Sequence, residues 1–163
     1  MVADQHNIHE KNTIMETFEL LKTTKAKTLL FFDLPEEELN KTYAPGKWSI
    51  RQILNHLADT EIVLNERIRR AIAEEHPFVI VFDQDRWNEY LDYNTYPLAL
   101  SKNVFSSIRD SIIYLAEKHY AGSENIRFFH TAAGMRTLQQ EFDKVAQHNF
   151  SHLKQIETAL AAS

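Results

Sequence analysis

Apolar residues recur at three-to-four spacing in four stretches of the chain, the period of one helix face. The first stretch runs from about His9 to Phe32, with Ile14, Phe18, Leu21, Leu29 and Phe32 on a stripe that Lys25 interrupts. Asp33 to Leu39 reads as a break and a short helical turn, with Pro35 early in it, where a missing N–H costs little. The second stretch opens at Ser49. Ser49 and Gln52 have the spacing of a capping box, and Trp48 with Ile53 that of a hydrophobic staple. It runs to about Glu75, ahead of Pro77, with Ile50, Ile53, Leu54, Leu57, Leu64, Ile68, Ala71 and Ile72 on one broad face.

The third stretch starts near Pro97 and ends near Gly122, its stripe being Leu98, Phe105, Ile108, Ile112 and Leu115. The fourth opens with a second capping box, Thr137 and Gln140. Leu138, Phe142, Val145, His152 and Ile156 fall on its buried side, with Glu141 and His148 at one edge. Between the second and third stretches, residues 76–97 have no clear period. Val79 to Val81 suits a short extended piece and Asp85 to Leu91 a helical turn; a connection this long is usually a crossover or part of a site. Phe128 to Gly134 reads as a loop. The pattern predicts an all-α four-helix bundle, one domain over residues 1–163. The long link, at about 3.3 Å per extended residue, can span a helix, so the second and third helices can run parallel.

Composition narrows the chemistry. There is no cysteine, so any metal must be held by His, carboxylate or water, and the chain has no thiol nucleophile. A net charge of -5 argues against nucleic acid as a partner. Arg67, Arg69 and Arg70, near a helix end, read as solvated side chains facing its dipole. No apolar run is long enough to span a bilayer, and Met1 to Thr13 has no apolar signal core, so a cytoplasmic protein is expected, with no membrane partner.

The candidate chemistry lies on the second and fourth helices. His148 and His152, four residues apart, stand one above the other on a helix and can share a divalent metal. His56 lies roughly 10 Å from the start of its helix, and His152 roughly 12 Å from the end of its own, at 1.5 Å per residue. Those heights agree if the two helices are antiparallel. An i, i+4 histidine pair also arises incidentally on amphipathic helices, so the third residue matters.

Gly46-Lys-Trp-Ser-Ile-Arg-Gln-Ile-Leu-Asn-His56-Leu-Ala-Asp59-Thr-Glu61, followed by His148-x-x-x-His152, resembles the DinB-like (YfiT-like) superfamily of metal-binding helical proteins. The likeness takes in Asp33-Leu-Pro-Glu-Glu and His130-x-x-x-Gly134 and spans nearly the whole chain. It implies an up-down-down-up bundle and a divalent metal, often nickel or zinc, on His56, His148 and His152. Members include transferases using low-molecular-weight thiols, thiol-dependent isomerases and proteins named as metal-dependent hydrolases. Three histidine ligands leave an open position at which water or a thiol would be acidified. The leading expectation is a thiol S-transferase acting on a small-molecule electrophile. A metal-dependent hydrolase and a non-catalytic metal- or small-molecule-binding module remain alternatives, and a homodimer is compatible with each.

Other polar residues carry two readings each. Asp59 either orients a ligand or is an exposed carboxylate; Glu61, inside an apolar face, meets either an arginine or a pocket. Trp87 and Tyr90 are expected to pack, or else to wall a cavity. Glu141 is too far from His148 to share its ion, and His119 and His130 are placed away from the site. His6, His9 and His76 are expected in solvent.

Overall fold

The computed structural model describes the backbone of residues 2–162 and the side chains of residues 15–162. Ile14, His6 and His9 therefore lie outside the described side chains. Four long helices, α1 (Val2–Phe31), α3 (Ile50–Ala73), α5 (Leu98–His119) and α6 (Leu138–Ala161), form the bundle. Short helices α2 (Glu36–Leu39) and α4 (Gln84–Tyr90) lie in the connections. Both capping boxes form: Ser49 caps α3 with Gln52, and Thr137 caps α6 with Gln140. Gly122, with φ of 80°, follows the end of α5 in a conformation that side chains disfavour.

Cross-helix ties fix the directions. Ser101 bonds Asn55 and Arg109 bonds Glu61, so α5 runs parallel to α3. Arg109 also bonds Thr24, and Lys102 bonds Asp33, so α5 is antiparallel to α1. Arg67 meets Glu141 early in α6 while His56 meets His148 late in it, so α3 and α6 are antiparallel. The order is up-down-down-up.

The chain departs from all-helical at one end. Strand β1 (Phe78–Val79) pairs in parallel with β2 (Arg127–His130), which forms an antiparallel hairpin with β3 (Gly134–Thr137). The segment read as a loop is thus mostly hairpin. Its strands are four residues long, too short for alternation to stand out. The link from α3 to α5 returns along the bundle, as its length allows. It is pinned to α3 by Asn55, which donates to the Tyr93 carbonyl, and by Gln52, which donates to Asn88.

The expected face of α3 is buried as read, with Ile72 only half-buried. The faces of α1 and α5 are rotated from expectation. Among the described side chains, Thr17, Leu21, Thr24 and Thr28 are the buried residues of α1, with Phe32 buried just beyond its end, while Phe18, Lys25 and Leu29 are half-buried. On α5 the buried line is Ser101, Phe105, Arg109, Ile112 and Ala116, with Leu98, Ile108 and Leu115 half-buried. The cause is a polar layer through the bundle. Arg109 is fully buried and bonds both carboxylate oxygens of Glu61, the Leu21 carbonyl and the Thr24 hydroxyl. Asn149 of α6 joins it, bonding Thr28. One apolar cluster, containing Leu64, Ile68, Ile112 and Phe142, lies on one side of this layer. The other, containing Leu54, Leu57, Phe105 and Ile156, lies on the opposite side.

Glu61→Ala leaves the Arg109 guanidinium buried without its counter-charge and is expected to cost about 3–5 kcal/mol. Replacing both by leucine should cost clearly less than the two single replacements together. Urea denaturation of the four proteins measures this; additive losses would show that the pair is not coupled.

Candidate metal centre

The capping box sets where α3 begins, and His56 lies in its second turn, fully buried. His148 and His152 are half-buried on successive turns of α6. The three rings converge. His148 Nε2 lies 3.2 Å from His56 Nε2 and 3.2 Å from His152 Nε2. Ring centroids are 4.5–5.1 Å apart, and the rings meet edge to face. Among the described residues this is the group of histidine and carboxylate side chains that converges closely enough to hold an ion.

The donor set fits a metal. Nitrogens bonded at about 2.0–2.1 Å to a tetrahedral ion lie about 3.3–3.4 Å apart. The protein holds two of these spacings near that value through its fold alone. Gln155 Oε1 lies 2.8 Å from His152 Nδ1 and accepts its proton, which leaves the Nε2 lone pair facing the cluster. Burial first, then the neighbouring imidazoles, lowers the His56 pKa to about 2. Burial, then His152 and Lys144, lowers that of His148 to about 3. Both are thus held neutral, the form that ligates metal.

Aromatic rings pack against the His56 side of the cluster. Phe82 stacks on His56 with centroids 5.9 Å apart, and Trp48 meets His56 edge-on at 4.9 Å. Trp87 backs Phe82 at 4.8 Å. The irregular connection therefore supplies one wall of the site.

A family profile described as the DinB superfamily matches residues 20–156. The chain belongs to the DinB superfamily. Among its relatives, a protein of Oceanobacillus iheyensis whose name proposes a metal-dependent hydrolase is 32% identical over 158 residues, covering 94% of this chain and 91% of that one. A protein of Halalkalibacterium halodurans with the same kind of name is 26% identical, covering 94% of this chain and 89% of its own. The solved structure of YfiT from Bacillus subtilis, described as a probable metal-dependent hydrolase with an unusual four-helix bundle topology, matches with a TM-score of 0.81. It shares 21% identity and covers 90% of this chain and 85% of that one, a likeness of fold. No described helix of this DinB-superfamily chain is long and apolar enough to cross a membrane.

Several sequence expectations need correction. His152 was expected on the buried side of its helix, but Asn149 and Leu153 fill the core there and His152 stands at its edge. Asp59 orients no histidine and is only half-exposed; it accepts the Tyr93 hydroxyl and so helps anchor the connection. Burial raises the Asp59 pKa, and the Tyr93 bond opposes that rise. Arg67 is not solvated: it is 3% exposed, bonded to the Ile80 carbonyl at 2.8 Å and to Glu141 at 3.4 Å. Glu141 is correspondingly buried, while Arg69 and Arg70 stay exposed. Tyr90 does not pack, being 69% exposed.

His130 is the largest correction, because the hairpin folds back and places it in the same cavity of about 190 Å³ as His56 and His148. Burial, then the charges of Arg67 and Lys144, pushes its imidazole below the usual range. Arg67, Lys144 and Phe82, which line this cavity too, were missed as site residues. Of the residues that line this cavity outside the three-histidine cluster, only His130 was signalled, by the His130-x-x-x-Gly134 motif.

The depressed histidines predict an acid sensitivity of the metal-free protein. Folded pKa values lie below the unfolded value, so protons bind the unfolded chain preferentially. Stability is complete above about pH 6.5 and falls as the pH drops below it. From about pH 7.5 to about pH 5.5 the loss should be about 1.4 kcal/mol for each of His56 and His148. Urea midpoints of chelator-treated protein measure it, and the loss should shrink in His56→Gln. An unchanged midpoint would show that these imidazoles protonate freely in the fold.

Proposed function

We propose that this chain is a metal-dependent enzyme, in which His56, His148 and His152 would hold one divalent ion whose Lewis acidity would activate a nucleophile toward a small electrophilic substrate. The convergence of three ring nitrogens, two of the spacings at 3.2 Å, carries this reading. When bound, such an ion supplies Lewis acidity, which lowers the pKa of a water or thiol beside it. A set of three imidazoles suits zinc or nickel.

The protein's own part is positioning. Burial keeps His56 and His148 neutral, and Gln155 fixes the tautomer of His152. Phe82 and Trp48 shield His56 from solvent, which strengthens electrostatic interactions at the cluster. With no cysteine in the chain, a thiol nucleophile would come from a small molecule.

Two cavities flank the cluster. The cavity of about 190 Å³ meets His56 and His148, and another of about 320 Å³, bordered by Trp48 and Asp85, meets His152. Gln84 lines both. Room for two molecules, one on each side of the imidazoles, supports transfer of a low-molecular-weight thiol to an electrophile. Hydrolysis by an activated water is the second reading, favoured by the names of the relatives.

Metal analysis of purified, reconstituted protein should find about one ion per chain, the number one three-histidine site can hold. Each of His56→Ala, His148→Ala and His152→Ala should lose most of it while far-UV circular dichroism stays helical. Retention of the ion by all three variants would remove the site. Loaded protein should then consume a generic electrophile only when a low-molecular-weight thiol is added. Cleavage of esters or amides without any thiol would assign hydrolysis instead.

A further inference from the structure

The cavity beside His56 and His148 carries polar groups that metal binding does not use. We propose that Arg67, Lys144 and His130 form an anion site that takes the carboxylate of a small substrate, whose other end faces His56 and His148. The orientation toward the imidazoles rests on the metal-enzyme reading above; the anion site stands on its own groups.

The chain carries a net charge of -5, yet the residues lining this cavity include Arg67 and Lys144 and no Asp or Glu. Each donor comes from a different element. Arg67, on α3, is buried and held from behind by Glu141 and the Ile80 carbonyl. Those bonds use one N–H on each terminal nitrogen, leaving three of the five guanidinium donors. Lys144, on α6, lies one turn before His148 and so on the same helix face. Among the described residues it makes no hydrogen bond or ion pair. His130, on β2, accepts the backbone N–H groups of Ala132 and Ala133 at Nδ1, 3.1 and 3.2 Å away. Its proton therefore sits on Nε2, which has no acceptor among the described residues.

Glu141 balances only one of the two formal positive charges, so the cavity retains an unmatched cation. A charge without a partner at the edge of such a cavity is best satisfied by a counter-ion that brings its own acceptors. A planar carboxylate head group, which brings a single charge into the site, matches the one unmatched cation better than a phosphate dianion does. Val81 and Phe82 line the same cavity with apolar side chains and suit a short hydrocarbon body. A volume of about 190 Å³ limits the ligand to a small acid, roughly the space of six waters at about 30 Å³ each.

The test uses full-length, chelator-treated protein and calorimetric titration with succinate, its neutral analogue succinamide, and inorganic phosphate. Succinate should bind, succinamide should not, and phosphate should bind more weakly than succinate. Lys144→Met, at an exposed position of a helix, should weaken succinate at least about tenfold, the loss of one charge-assisted hydrogen bond. Its metal content should match wild type. Arg67→Met removes the partner of buried Glu141 and is expected to lower stability, so Lys144→Met carries the decision. Equal binding of succinate and succinamide, or an unchanged affinity in Lys144→Met, overturns the proposal. So does phosphate binding more tightly than succinate, or succinate binding that needs the metal. Succinate binding that depends on Lys144, in a protein that fails to take up metal, supports the anion site and refutes only the metal reading.

Discussion

The buried Arg109–Glu61 pair is the constraint on which the rest of the bundle depends. A fully buried guanidinium must be matched in charge and in hydrogen bonds, or it destabilises the fold by several kcal/mol. Meeting that requirement draws on all four long helices: Glu61 from α3, Thr24 and the Leu21 carbonyl from α1, and Asn149 from α6. Apolar faces tolerate sliding by a turn at modest cost. This polar layer does not, because each partner is specific in geometry. It therefore sets the register of the helices against one another.

That register is what assembles the histidines. His148 immediately precedes Asn149, and His56 lies just over one turn before Glu61. Because the helices are antiparallel, the step back from Glu61 to His56 runs the same way as the step forward from Asn149 to His152. Joining Glu61 and Asn149 to Arg109 therefore brings His56 close to the height of His152, with His148 one turn away. A one-turn slip of α6 would move its rings by about 5.4 Å, more than the 3.2 Å that now separates the nitrogens. The polar layer thus acts on the site without touching its chemistry, a register role of the kind buried polar groups serve in helical assemblies.

The two pieces of irregular chain complete the site from outside the bundle. Tyr93, held by Asn55 and Asp59, ties down the connection that brings Phe82 and Trp87 over His56. The small sheet joins that connection to the hairpin, placing His130 in one cavity with Lys144 and Arg67. The bundle thus supplies the three clustered imidazoles, while the loops supply walls and part of the polarity of the cavity beside them. This division follows from exposure: helix faces are committed to the core, and connections are free to carry recognition.

His56 lies 92 residues from His148 and was joined to it only through the heights expected of antiparallel helices and the family resemblance. Helix number, the helix starts at Ser49 and Thr137, the broad face of α3 and the His148–His152 pair were legible in the sequence. All are encoded by residues close in sequence: a capping box spans four positions, a helix face repeats every three or four, and His148 and His152 are one turn apart. The burial of Glu61 was legible for a related reason, since a carboxylate among aliphatic neighbours demands a partner. Which arginine answers it was not legible, because Arg109 is 48 residues away. The rotated faces of α1 and α5 follow from the same long-range pairing: threonines become core residues once a buried guanidinium needs them. Arg67, His130 and Lys144 share a cavity only because a short sheet folds the connection and hairpin back across the end of the bundle. Strands of two to four residues leave no period to read, so tertiary pairing alone decided that part of the site.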